Sequence, residues 1–172
     1  MRTLSRAPVT TTAVLVIVAI LQFLHYYPIL PDRIAVHFGP GWEPDAWSDT
    51  RSFMIVYGLV EGLVVVTALL GVLLMERGHA GAVNIPNRDY WLSAERRRET
   101  LHYLAEQFLW LECLTLAFLI AVAQTIFKFN LRGVAPLLVR DFWVTFVAFL
   151  VGIGWVCARL AKRFGRKPPV AG

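Results

Sequence analysis

Residues 53–75 read FMIVYGLVEGLVVVTALLGVLLM, an apolar run with a single charge, Glu61. At 1.5 Å per residue in a helix, the run is long enough to cross a hydrocarbon core of about 30 Å. A span needs about 20 mostly apolar residues because every backbone donor and acceptor must be satisfied within the helix. Three further runs have the same character, at residues 14–30, 108–127 and 142–161. The first of them is the shortest and begins in Thr10, Thr11 and Thr12, yet residues 9–30 reach about 30 Å as a helix. The reading is therefore all-α: one compact bundle of four transmembrane helices forming a single domain over 1–172, with no separate soluble domain.

Composition agrees, since 57% of the 172 residues are hydrophobic and only 17% charged, outside the range of an ordinary soluble domain. Arg2 and Arg6 precede the first run as they would in a signal peptide. An h-region is only about 7–15 residues long and ends at small residues. This run ends in His25, Tyr26, Tyr27 and Pro28, and is read as an uncleaved helix.

Orientation follows from the basic residues beside the spans. Placing both termini and the 76–107 loop on one side gathers 12 of the 17 Lys and Arg residues there, including Arg2, Arg96, Arg97, Arg98, Arg166 and Lys167. The other side keeps Arg33, Arg51, Lys128, Arg132 and Arg140. Both termini and the 76–107 loop are thus expected in the cytoplasm. The net charge of +5 is accounted for by topology and anionic lipid headgroups, with no nucleic-acid partner required.

The outer loop, 31–51, reads PDRIAVHFGPGWEPDAWSDTR. Pro31, Pro40, Gly41 and Pro44 redirect its backbone, while Trp42 and Trp47 suit the membrane interface, so the loop is expected to fold back onto the membrane surface. Asp32, His37, Glu43, Asp45 and Asp49 are metal-ligating residue types, but no recognised ligand spacing is present and no metal is assigned. Asp32 and Asp45 are read instead as turn caps, and His37 as bonded to the backbone. In the cytoplasmic loop, 76–107, Gly78, Gly81 and Pro86 break helix, and Ser93 is read as an N-cap with Glu95 behind it. Leu101, Leu104, Phe108 and Leu111 then recur at helical spacing, extending the third span into the cytoplasm.

Leu30, Pro31, His37, Phe38, Pro44, Asp45 and Trp47 match the signature of the SdpI-like bacterial membrane proteins, catalogued as domain of unknown function 1648, which this chain resembles. Ala35 stands where that family commonly has Pro, and Trp42 with Glu43 replace a simpler Gly-x step. Asn84, Pro86, Asn87, Tyr90 and Trp91 are similar to the second motif of a short four-span subgroup. The resemblance implies immunity to a secreted peptide toxin, or signalling through a protein held at the membrane.

Within the spans, Glu61 and Glu112 stand out, because an intramembrane carboxylate is costly and usually faces a partner or water. Counted along their helices, their depths differ by about 12 Å, too far for a shared-proton acid pair. Glu61 lies inside Gly58-Leu-Val-Glu-Gly62, where two small residues let another helix approach closely. Cys113 and Cys157 imply no disulfide, His25 and His102 lie near opposite faces and do not make a haem pair, and no nucleotide or nucleophile motif occurs. No cofactor and no catalytic residue is assigned. Beyond the lipid bilayer, the partner expected is a membrane or cytoplasmic protein. The leading reading is a non-enzymatic membrane interaction protein, set against an accessory subunit of a larger complex docking through Gly58 and Gly62. A hydrolase or transporter using Glu61 is the third.

Overall fold

The computed structural model describes residues 5–81, 83–133 and 135–165. In chain order these form α1 (Arg6–Tyr26), β1 (Arg33–Phe38), β2 (Pro44–Asp49), α2 (Thr50–Glu76), α3 (Arg88–Trp91), α4 (Arg97–Arg132) and α5 (Ala135–Phe164). Four of the helices, α1, α2, α4 and α5, are long and apolar enough to cross a membrane. Arg2, Arg166 and Lys167, which contribute to the expected orientation, lie outside the described residues.

The helices overrun the apolar runs for local reasons. In α1 the threonines stay helical by bonding back to the preceding turn, Thr10 Oγ1 to the Arg6 carbonyl at 2.9 Å and Thr12 Oγ1 to the Pro8 carbonyl at 2.9 Å. The helix stops at Tyr26, short of the expected residue 30, and the Ile29 and Leu30 amides both donate to the Tyr26 carbonyl at 3.1 Å as the chain turns. Asp49 caps α2, its carboxylate accepting from the Ser52 amide at 2.8 Å. Ser93 does not cap α4 as expected. Its carbonyl accepts from the Arg96 and Arg97 amides in a separate turn, and the helix begins at Arg97 behind Arg96. At the far end Gly133, with φ +67°, closes α4 through its amide on the Phe129 carbonyl at 2.7 Å.

The four long helices form the expected bundle. With 36 residues, and so about 54 Å long, α4 is the hub on which α1, α2 and α5 all pack. One face of α4 meets α2, where Phe108 lies against Gly71 and Glu112 accepts from Thr67. A second face meets α1 through Cys113, Leu116, Ile120 and Gln124. A third meets α5, with Leu114 against Gly152 and Phe118 stacked on Phe149 at 4.6 Å. Lipid tails are as apolar as leucine, so no hydrophobic force draws α1, α2 and α5 together, and close packing decides which surfaces meet. An added Cβ would fall 2.2 Å from the Phe108 ring at Gly71 and 2.5 Å from Leu114 at Gly152. These two glycines therefore set the helix approach within the chain. The outward faces of α2 and α5 stay apolar and exposed, as at Leu59 and Val151.

Residues 33–49 form an antiparallel hairpin. Arg33 pairs with Asp49 and Ala35 with Trp47, and irregularities on either side of His37 shift the register. At the tip, the Gly39 amide donates to the Glu43 carbonyl at 2.9 Å, and Trp42 takes a left-handed φ of +61°. Beneath the hairpin lies the main core, Leu30, Ile34, Met54, Tyr57, Ala123 and Phe127, which joins it to α1, α2 and α4.

Candidate functional site

The hairpin is fixed to the helices at three places. The Thr50 amide donates to the Asp32 carbonyl at 2.9 Å, and the Thr50 hydroxyl donates to the Pro31 carbonyl, tying the entering end of the hairpin to the start of α2. Asn130, in the last turn of α4, grips the buried Ala35 with its side-chain amide. Its Oδ1 accepts from the Ala35 amide at 2.7 Å, and its Nδ2 donates to the Ala35 carbonyl at 2.9 Å. One side chain thus takes the place of a neighbouring strand along the free edge of β1, which would otherwise present unpaired backbone groups. Third, Phe38 meets Phe129 edge-on at 4.8 Å, and Trp42 meets Phe142 at 5.4 Å.

The motif residues divide into anchors and an exposed face. Pro31 lends its carbonyl to Thr50, and Phe38 packs on α4. His37 Nδ1 and Asp45 Oδ1 pair across the hairpin at 2.5 Å with their side chains 70% and 50% exposed. Asp45 is thus no turn cap and His37 is not bonded to the backbone. The bulge beside His37 turns it toward the carboxylate, and the capping role falls to Asp49. The hydrogen bond from Ser52 holds the Asp49 carboxyl below its ordinary range. Trp47 is half exposed, with the Arg33 guanidinium over its ring at 5.9 Å. Among the described residues, no three His, Cys, Asp or Glu side chains come together as a metal site would require.

Below the core lies a polar cluster inside the apolar spans. Gln22 Nε2 donates to the Ile120 carbonyl at 3.0 Å and to Gln124 Oε1 at 2.8 Å. The Tyr57 hydroxyl donates to Gln22 Oε1, and Gln124 Nε2 donates to the Tyr26 hydroxyl at 2.5 Å. This network joins α1, α2 and α4. Its signal in the sequence is the pair of glutamines, Gln22 and Gln124, set within apolar runs and not themselves ionisable.

One turn further along α2, Glu61 is 7% exposed and its Oε1 has no hydrogen-bond partner among the described residues. It lines a recess of about 460 Å³ between α1 and α2, together with Ala19, Phe23, Gly58, Gly62 and Leu116. Among the described residues, no helix approaches closely over the two glycines. A Cβ at Gly62 would meet nothing within 4 Å, and one at Gly58 only the Phe23 ring at 4.0 Å. Glu112 lies on the α2 side of α4, with Thr67 Oγ1 3.5 Å from its Oε1.

At the opposite end, the second motif builds a clasp. Asn84, Pro86 and Asn87 are exposed, and Asn87, at a left-handed φ of +54°, starts α3 by accepting from the Tyr90 and Trp91 amides at 3.1 Å. Tyr90 lies under the Arg96 guanidinium at 4.2 Å, and Trp91 meets Phe164 of α5 edge-on at 5.3 Å. Arg163 joins the clasp by pairing with Glu99 at 3.0 Å.

These elements are those of a multi-pass membrane protein with a hairpin clamped over one end of its hub helix. Residues 14–60 match the family model described as domain of unknown function (DUF1648). The matched segment holds most of α1, the whole hairpin and the opening turns of α2, and stops one residue before Glu61. No curated protein and no solved structure matches the chain.

Proposed function

We propose that the chain is a non-enzymatic interaction protein of the bacterial cytoplasmic membrane, of the SdpI-like immunity or signalling type, with both termini inside and the hairpin as its outward recognition surface. The observation that supports this reading is the hairpin's division of labour. Ala35, Phe38 and Thr50 bind it to the helices, while His37, Asp45 and Trp47 are left exposed on a held backbone. A surface ordered before binding loses little conformational entropy on meeting its partner, and a half-exposed tryptophan beside a hydrogen-bonded His–Asp pair is suited to an interface. The peptide or protein that it meets engages this face, and the clasp at Tyr90 and Trp91 carries the cytoplasmic contact.

The test is protection of a susceptible bacterial host, expressing the chain, against secreted peptide toxins. His37→Ala and Trp47→Ala are expected to abolish protection while membrane level and thermal unfolding stay at the wild-type value. Full protection by both variants would refute the role of the hairpin. Orientation is checked by cysteine labelling of intact cells, where a probe at Asp45 is expected to react from outside and one at Asp89 is not. The reverse labelling would place the hairpin in the cytoplasm and overturn the reading.

A further inference from the structure

The recess between α1 and α2 has the features of a binding site for a small molecule dissolved in the membrane. Its volume of about 460 Å³ falls in the range of ligand pockets, about 300–1,000 Å³. Its walls are aliphatic and aromatic, from Ala19, Ile20, Phe23, Val65 and Leu116. Its polar lining group is Glu61, more than nine-tenths buried and with Oε1 unpartnered among the described residues. Glu61 is eleven residues from the start of α2 and fifteen from its end, which places it about 16 Å and 22 Å from the two ends of the helix. That is near the middle of the spanning helix.

Two ordinary occupants leave Oε1 unsatisfied. A phospholipid acyl chain would fill the apolar volume, but its ester oxygens stay near the headgroups and bring no polar atom to this depth. A lone water needs two to four polar partners, and the recess supplies one group. Burial in hydrocarbon favours the protonated form of a carboxyl. That form offers one O–H donor and one carbonyl acceptor. The complement is an apolar molecule that carries a hydrogen-bonding oxygen to the bilayer centre.

We propose that this recess binds an isoprenoid quinone or a molecule of the same chemistry, its ring between α1 and α2 with one carbonyl accepting from Glu61, and its tail leaving through the lateral opening into lipid. Gly58 and Gly62 are small because the ring lies over them. The open space above Gly62 is the room that it occupies. No electron transfer is involved; the ligand is held and released intact. This site is separate from the hairpin surface and stands or falls without it.

The test is thermal unfolding of the purified full chain in phosphatidylcholine nanodiscs with added decylubiquinone, and with decane as the oxygen-free control. Wild type and Glu61→Gln, which keeps a donor and an acceptor, are expected to gain several degrees with the quinone and little with decane. Glu61→Leu removes the hydrogen bond and Gly62→Leu fills the recess, and both are expected to lose the gain. Leu24→Trp, which narrows the mouth from an exposed position, repeats the second test should Gly62→Leu fold poorly. No shift in wild type overturns the proposal, as does an equal shift with decane, which would make the recess a site for lipid tails only. A shift that persists in the filled variants places the quinone elsewhere. Cross-linking from a photoreactive residue at Gly62 to a second polypeptide, undiminished by quinone, assigns the recess to a partner helix and likewise overturns it.

Discussion

Replacing Asn130 with Ala tests how the hairpin is held. The wild-type side chain satisfies both the amide and the carbonyl of Ala35, at 2.7 Å and 2.9 Å, and Ala35 is fully buried. Alanine would leave two backbone groups unpaired, each at a cost of about 1–3 kcal/mol. Asn130 lies in the last turn of α4, near water, so about 2–3 kcal/mol for the pair is the expected loss. The third bond of Asn130, to its own Ile126 carbonyl at 2.9 Å, lies within the helix and does not enter the sum. The assay is hydrogen exchange of the β1 amides, read against amides in the middle of α4. A local loss of that size speeds exchange of the hairpin by about 30- to 140-fold, while the centre of α4 stays at the wild-type rate. Asn130→Asp is a useful second variant, because it keeps an acceptor for the Ala35 amide but sets a carboxylate oxygen against the Ala35 carbonyl, and it too is expected to loosen the hairpin. Exchange in Asn130→Ala within about twofold of wild type, equivalent to less than about 0.5 kcal/mol, would refute the idea that one side chain stands in for a missing strand.

Gly71→Ala and Gly152→Ala are each expected to lower stability by about 1–3 kcal/mol, the usual cost of overpacking a tight contact, whereas Gly62→Ala, facing open space, stays near wild type. Thermal unfolding in detergent compares the three, and equal effects would show that the α2–α4 and α4–α5 approaches do not depend on these glycines. The lowered pKa of Asp49 gives a pH dependence of known sign. Its cap stabilises α2 in full above the unfolded carboxylate value of about 4 and is lost as pH falls through the lower folded value. The unfolding midpoints of wild type and Asp49→Ala should therefore differ at neutral pH and converge in acid; a difference that stays constant with pH would remove the charged cap from the account.

The sequence by itself determined the membrane class and the four spans, because hydrocarbon leaves a chain few options and a run of about 20 apolar residues states its answer locally. The caps at the ends were less legible. Ser93 has the right side chain for an N-cap, but α4 starts only where the turn over residues 93–96 releases the chain. The motif residues His37, Asp45 and Trp47 were visible, yet their arrangement was not. Pro44 and the bulges around His37 spoil the period-two pattern that announces a strand, so only the folded hairpin brings His37 onto Asp45 and Ala35 onto Asn130, ninety-five residues away. Gly58 and Gly62 carried the small-residue spacing of a helix contact, but Gly71 and Gly152 make the contacts. A glycine pattern says where a helix can be approached, and which neighbour arrives is decided by the other helices. In the same way Glu61 was conspicuous as a charge in an apolar run, while its unpartnered oxygen and the recess beside it exist only because α1 and α2 both pack on α4 and leave space between them.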